Sequence, residues 1–351
     1  MPYKKLYLDY FLSQKKMNIL LDRKIKFGII GCSQIADSSS IPAILESKNA
    51  QIEMIGSRSQ SKAKKFSIKF NCKNYGTYDE VLENDKVDAV YISVPVGLHK
   101  EWSIKAAKAG KHILCEKSSS SSYLDSVKMV HEAKKNNIRL MEGFMFRFHP
   151  SHKKVNELIG MGKIGKVYSF FGRYGFPSPR KNNIRFKKDL GGGILNDAGC
   201  YPICASRIIF GREPVGVMCQ STLDKNGIDI KTTIHLKYDD KQFAQIVTGY
   251  GMFYQSSYSV WGSKGILRLT RSYNIPSDMK PIISLSISKK DQEILIPPVN
   301  HFKLMIDTFT KEITNEGSCD FNFESDLLKQ AKVMQAARNS FKQNKFIVIK
   351  T

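Results

Sequence analysis

Residues 24–31, KIKFGIIG, are a β-rich apolar run that ends on glycine and passes at once into CSQIADSSSIPAILES, a turn followed by a helix. A strand that is apolar on both faces must lie inside a sheet covered on both sides. This one segment therefore commits the chain to parallel βαβ units. The pattern repeats. IEMIGSR is a second strand, a Lys-rich helical stretch follows over residues 61–70, and VDAVYISV (87–94) is another buried-type strand closed by Pro95. A helix over 101–109, a short strand over 112–115, a helix over 123–136 and a strand over 138–141 continue the alternation.

After about Phe144 the texture changes. Strand-like segments follow one another at 166–174, 215–222, 228–238, 243–250, 258–261, 266–270 and 282–287. One helix begins among them near Gly193, and two more close the chain at 302–314 and 324–344. Runs of strands with few helices predict an α+β domain with a mainly antiparallel sheet. The division expected is an N-terminal extension (1–23), a parallel-sheet α/β domain (24–143) and a mainly antiparallel α+β domain (144–351). Residues 1–16 read as an extension or a mis-assigned start, with no secretory signal pattern.

Composition narrows the function classes. No apolar run approaches the roughly 18 residues of a membrane span. Lys and Arg number 55 against 32 Asp and Glu, a formal charge of +23. The basic residues are dispersed along the chain, which reads as surface charge rather than a nucleic-acid face, and which suits a phosphate-bearing ligand. The seven cysteines contain no C-x-x-C pair, so no zinc ribbon or metal ligand set is visible, and several sit in apolar runs as reduced thiols do. That usage predicts a reducing, cytoplasmic compartment.

Chemistry-bearing residues gather at the ends of the predicted strands. At the first strand's exit a dinucleotide-binding turn wants G-x-G-x-x-G/A. Gly31, Ser33 and Ala36 occupy those places, with Ser where the second Gly would let the pyrophosphate approach; a plain strand–helix turn is the competing reading. Strand two ends in Gly56-Ser57-Arg58-Ser59, with Lys62 one helical turn on. There Ser57 could bond a 2′-phosphate and Arg58 could pair with it or stack on adenine, favouring NADP(H) over NAD(H). Cys115-Glu116-Lys117 closes another strand, where a Lys kept cationic by a carboxylate can protonate a substrate oxygen, or simply form a surface ion pair. Gly191-Gly192-Gly193 leads into a helix that carries Asp197 and Tyr201 at i and i+4, on one face. The glycines would let that first turn approach a ligand. Tyr201 is a candidate proton donor, with bulk packing as the alternative.

Taken in order, GIIGCSQIA, the SRS after strand two, VDAVYISVPVGLH, HILCEK, MEGFMFRFHP and GGGILNDAGCYPI resemble the Gfo/Idh/MocA oxidoreductase family, from about Lys24 to Arg212 with a weaker echo at 300–313. The resemblance implies an N-terminal Rossmann domain, a C-terminal domain whose open sheet serves oligomerisation as a dimer or tetramer, and hydride transfer at a sugar-like carbon. It implies that Gly31, Ser33, Ile35 and Ala36 form the phosphate turn and that Ser57 and Arg58 receive the adenosine ribose. Pro95 and His99 would line the nicotinamide side, and Glu116 and Lys117 would match the family's Glu-Lys-Pro, with the Lys catalytic. Arg147 would lie on the substrate side. Asp197 and Tyr201 would match the Asp and His of G-G-G-x-x-x-D-x-G-x-H, Tyr replacing His as in the dihydrodiol and xylose dehydrogenase-like branch.

The function expected is an NADP(H)-dependent oxidoreductase of a sugar or nucleotide-sugar, preferably a ketoreductase. A dehydrogenase of a free sugar or dihydrodiol is the alternative, and a cofactor-binding regulator without catalysis the rival from another class. Tyr201 and Lys117 would handle the oxygen's proton, with the Lys cation lowering the Tyr pKa, and Asp197 would orient hydroxyls. No nucleic-acid or membrane partner is expected. The loop over residues 176–186, with Arg180 and Arg185, is expected to help decide the substrate.

Overall fold

The computed structural model describes residues 23–350 apart from 181, 240, 289 and 315–320. The extension expected before residue 23 thus lies outside the described residues. The first sheet is built from β1 (Ile25–Ile30), β2 (Ala50–Gly56), β3 (Asn74–Gly76), β4 (Ala89–Ile92), β5 (His112–Glu116) and β6 (Leu140–Gly143). Its order is β3-β2-β1-β4-β5-β6, all parallel. Strand order reverses beside β1, so a crevice opens at the carboxyl ends of β1 and β4, the place where such sheets take ligands. β1 is central because it is apolar on both faces: Phe27, Ile29 and Ile30 are fully buried.

Helices α1 (Ile41–Glu46), α2 (Gln60–Lys69), α3 (Tyr78–Glu83), α4 (His99–Lys108) and α5 (Tyr123–Lys135) make the crossovers. After α6 (Pro150–Gly160), β7 (Val167–Phe176) and α7 (Cys200–Phe210), the chain lays down β8 (Gly216–Leu223), β9 (Asp229–Lys237), β10 (Phe243–Tyr250), β11 (Gln255–Gly262), β12 (Gly265–Leu269), β13 (Ile282–Ile287) and β14 (Lys290–Leu295). The helices α8 (His301–Thr314) and α9 (Phe323–Gln343) and the short β15 (Ile347–Val348) end the described chain. The second sheet runs β14-β13-β12-β11-β7-β10-β9-β8-β15. Only the β7–β10 pair is parallel, so the sheet is mainly antiparallel. Every second residue of its strands faces inward: Phe170, Ala244, Ile246, Val260 and Leu267 are buried. The other face carries Phe171, Phe243, Val247, Trp261 and Ile266, none of them fully covered.

The closing helices tie the two sheets together. α8 buries Phe302, Met305, Ile306 and Phe309, and Phe309 meets Phe27 of β1 with ring centroids 6.2 Å apart. Each such side chain contributes about 2 kcal/mol of hydrophobic stabilisation. α9 packs on α5 and β6 on one side and on β8 on the other. Among the described residues no helix is long and apolar enough to cross a membrane.

Candidate active site

The cleft of about 510 Å³ between the two sheets is assembled from strand ends and the loops behind them. At the exit of β1, Gly31 has φ +111°, and a Cβ there would stand 3.1 Å from the Ser93 carbonyl carbon and the Val94 nitrogen. Only glycine fits. Ser33 accepts a hydrogen bond from the Ala36 amide at 3.1 Å, which caps the wide-turned segment Ala36–Ser40 before α1. The Ser at the second glycine position therefore organises the turn, and because it accepts there its hydroxyl keeps a hydrogen to donate within the cleft it lines. Ile35 lines the cleft too, while Ala36 is buried beneath it.

Ser57, Arg58 and Lys62 stand at the same edge of the sheet, after β2 and outside that cleft. Ser57 is buried and accepts the Ser59 amide at 3.2 Å. Arg58 and Lys62 are exposed. Across β1, Pro95 and His99 belong to the turn after β4 and both line the cleft. The His99 ring lies between the Val94 and Ser118 carbonyls at 2.8 and 2.9 Å, clamping two strand-exit loops together. Burial lowers its pKa against the opposing pull of these carbonyls.

Glu116, the last residue of β5, accepts the Tyr91 hydroxyl at 2.6 Å, which in turn accepts Ser40 at 2.8 Å. Burial raises its pKa, and the bond from Tyr91 and the Lys117 charge limit the rise. Lys117 follows. Its Nζ donates to the Asp197 carbonyl at 2.6 Å, reaches Asp197 Oδ1 at 3.5 Å and sits 4.9 Å above the Tyr201 ring centroid. Burial opposes the lysine's charge, but Asp197, Cys200 and Glu116 outweigh it and hold the pKa above the ordinary value. For Asp197 burial is likewise overcome, by Lys117 and Arg185, so its carboxyl titrates below the usual range. Arg185 Nε donates to Asp197 Oδ2, and Tyr250 Oη donates to the same oxygen at 3.3 Å.

Lys117, Asp197 and Tyr201 thus meet in one cleft, as the sequence suggests. The mutual arrangement differs from the expectation in two ways. Leu195–Gly199 is a π-type turn ahead of α7, so Asp197 reaches the cleft from the turn and Tyr201 from the first turn of α7. Tyr201 also keeps its proton: burial first, then Cys200, Glu116 and Asp197, push its pKa well above the ordinary value. The Lys117 cation lies over the ring and does not reverse this. The Tyr201 hydroxyl points to Met145 Sδ at 3.8 Å, a weak acceptor that leaves it free to donate elsewhere.

Arg147 is a correction. Its guanidinium pairs with Asp326 at the start of α9, and Asp326 also accepts Arg207 at 2.9 Å. It ties the turn Met145–Phe148 to α9 and does not line the cleft. Arg180 is exposed and off the cleft, whereas Arg185 enters it. Tyr250, Tyr254 and Asn274 come from strand ends and a loop of the second sheet, and no sequence motif marks them. Among the described residues no cluster of three or more His, Cys, Asp or Glu could hold a metal ion.

A nicotinamide dinucleotide fits what is present: a turn with no room for a side chain at Gly31, a hydroxyl at Ser33, and exposed cations at Arg58 and Lys62. Comparison with known proteins agrees. The model of the oxidoreductase family with NAD-binding Rossmann fold, GFO_IDH_MocA, matches residues 25–144, and the GFO/IDH/MocA C-terminal domain matches residues 152–268. The dTDP-3,4-didehydro-2,6-dideoxy-alpha-D-glucose 3-reductase of Actinomadura kijaniata is 31% identical over 90% of this chain and 95% of its own. The D-xylose 1-dehydrogenase (NADP(+)) 2 of Haloferax volcanii is 29% identical over 82% and 88%. A crystal structure of a 3-ketoreductase from Actinomadura kijaniata in complex with NADP and TDP-benzene superposes with a TM-score of 0.88, at 29% identity over 91% of this chain and 98% of that one. The chain therefore belongs to the GFO/IDH/MocA family of NAD(P)-dependent oxidoreductases.

Proposed function

We propose that this protein is an NADP(H)-dependent ketoreductase of a keto-sugar carried on a nucleotide. The observation that carries this reading is the meeting of Lys117, Asp197 and Tyr201 at the carboxyl edge of the first sheet, beside the Gly31 turn and inside one cleft. The similar 3-ketoreductase has been solved with NADP and TDP-benzene, also as variants altered at one lysine and one tyrosine. Those two residues stand as far apart along that chain as Lys117 and Tyr201 do here, which supports giving both the same roles.

The nicotinamide, when bound, supplies the hydride. The chain's own residues supply position and protons. Tyr201, kept protonated by burial, donates to the substrate oxygen as negative charge develops on it. That transfer runs downhill, because an alkoxide is more basic than even a strongly perturbed phenol. Lys117 stays cationic and stabilises the same charge. Asp197 holds Lys117 in place and turns toward substrate hydroxyls. Arg58, Ser57 and Lys62 would receive a 2′-phosphate, so NADPH is the preferred cofactor.

A dehydrogenase of a free sugar or dihydrodiol needs the same residues, and the Haloferax relative favours it as the second reading. The +23 charge supports an anionic substrate instead. The apolar outward face of the second sheet, with Phe171, Phe243 and Trp261, supports a homo-oligomer formed through that face. Six buried, unpaired cysteines support a reducing compartment, and we place the protein in the cytoplasm.

Fluorescence titration with NADPH and NADH, in wild type and Arg58→Ala, tests the cofactor assignment. NADPH should bind more tightly, and the substitution should weaken NADPH by about tenfold or more while leaving NADH nearly unchanged. Equal loss for both would remove the 2′-phosphate role from Arg58.

A further inference from the structure

The proposed reaction leaves one end of the cleft without a task. Beyond Tyr201 the wall continues through Tyr174, whose ring lies 5.3 Å from that of Tyr201, to Tyr254 and Asn274. Tyr174 stands close enough to Tyr201 and Tyr254 to feel both hydroxyls. The Tyr254 hydroxyl is buried and has no hydrogen-bond partner among the described residues. Such a group destabilises the free protein, and a ligand that brings it a partner removes that cost.

Arg271 stacks on the same ring, its guanidinium carbon 4.4 Å from the centroid. Its Nε donates to the Asn274 carbonyl at 3.1 Å, and its backbone bridges to Ser256 of β11. The fork is therefore fixed in place, while its two terminal nitrogens make no hydrogen bond among the described residues. Tyr254 also borders a second hollow of about 660 Å³, shared with Arg173, Arg268 and Arg271 and lined by no carboxylate. Most of that hollow's lining, Phe171, Arg173 and Arg268 included, lies on the outward face of the second sheet, so it meets the cleft at Tyr254, where Arg271 adds positive charge.

We propose that Tyr254, Arg271 and Asn274 form a subsite for the phosphate attached to the anomeric carbon of the substrate. The guanidinium fork matches two phosphate oxygens, and the Tyr254 hydroxyl donates to a further one. Tyr201, Tyr174 and Tyr254 line the same cleft, so one substrate can present its reacting carbon to Tyr201 and its phosphate to Tyr254. The inference rests on the keto-sugar reading above. It adds the residues by which an anionic sugar is told from a neutral one. A sugar phosphate and a nucleoside diphosphate sugar share this phosphate, so the probes must separate them.

The test is calorimetric titration of the NADP-loaded protein with dTDP, UDP and inorganic phosphate, in wild type, Tyr254→Phe and Arg271→Gln. dTDP should bind wild type and bind each variant at least about tenfold more weakly, with NADP affinity unchanged. Tyr254→Phe should melt no lower than wild type without ligand, because it removes only an unsatisfied hydroxyl. It therefore remains informative if Arg271→Gln folds poorly. Phosphate binding as tightly as dTDP would assign the subsite to a sugar phosphate, and a strong preference for dTDP or UDP to a nucleotide sugar. Unchanged dTDP affinity in both variants, or no dTDP binding to a wild type that binds NADP, overturns the subsite. Failure of NADPH itself to bind would instead bring down the oxidoreductase reading, so the two failures are distinguishable.

Discussion

Lys117 spends its donors on Asp197 and on the face of Tyr201, and that economy decides which group delivers the proton. The lysine is held charged in place, whereas among the described residues the Tyr201 hydroxyl has only Met145 Sδ for a partner. Tyr201→Phe should therefore lower kcat by about a hundredfold or more, as losing a general acid does, with NADPH affinity and melting temperature almost unchanged. Single-turnover kinetics of nicotinamide oxidation read this directly. Arg185 acts one step further out. Burial raises the Asp197 pKa, and Lys117 and then Arg185 bring it below its ordinary value. Removing one cation moves it back up, so Arg185→Gln should shift the acid limb of the kcat/KM profile to higher pH. A limb that stays in place means Lys117 alone fixes the carboxylate. Lys117, Asp197 and Tyr201 were legible in sequence because each follows a strand end or a glycine run. Arg147 misled because RFHP resembles the family's substrate-side segment, while its charge is neutralised by Asp326, far along the chain. No pattern within the chain records that pairing.

Among the elements, the turn Leu195–Gly199 carries the site, and it is braced from behind. Asp229 of β9 accepts the Leu195 amide at 2.7 Å, and Arg338 of α9 donates to Asn196 Oδ1. Burial raises the Asp229 pKa to about 6 against the pull of that amide and of Arg338. The glycines before the turn serve this bracket as well as any ligand. Gly193 has φ +117°, and a Cβ there would fall 2.0 Å from Asp229 Oδ1. Gly193→Ala should therefore cost about 2 kcal/mol or more of stability and reduce kcat, while NADPH, bound mainly on the first sheet, keeps its affinity. Paired denaturant melts and NADPH titrations check this, and a loss confined to NADPH binding would contradict it. Sequence periodicity located most strands to within a few residues, since inward positions alternate with outward ones. It missed β14, whose KDQEIL is exposed along almost its whole length and so shows no alternation, and β3, which is three residues long. It also passed over α6, where His149, Ser151 and His152 are buried by tertiary packing that their polarity does not announce.

At the scale of the whole molecule, buried titratable groups set the range of pH over which the two sheets stay together. Burial lowers His149 to about 4 and His152 and His301 to about 3, against 6.5 for the ordinary imidazole. Each is neutral when folded but takes up a proton once unfolded below pH 6.5. The unfolded chain then binds more protons, so stability falls as pH drops from 6.5 towards 3. Glu142 and Asp229 work the other way. Burial raises them to about 7 and about 6, so each binds its proton more tightly when folded, and stability rises as pH falls from 7 to about 4.5. Between pH 7 and 5 the two sets oppose each other, and the curve should be shallow. Below about 4.5 the gain from Glu142 is complete and that from Asp229 ends near 3.8, while the imidazoles are joined by carboxyls with depressed folded pKa values, Asp197 and Asp326 among them. The melting temperature should therefore collapse there. His301 isolates the cause, because both its ring nitrogens are buried without partners among the described residues and its ring packs against His149 and Phe302, 5.8 and 5.1 Å away. His301→Leu keeps nearly the same volume, removes the unsatisfied atoms and cannot be protonated. It should match or exceed wild-type stability at pH 7 by about 1 kcal/mol and retain more of it at pH 4. Melting curves of the two proteins from pH 4 to 8 should diverge on the acid side. If they run parallel, the acid sensitivity lies in the carboxylate pairs and not in the buried imidazoles.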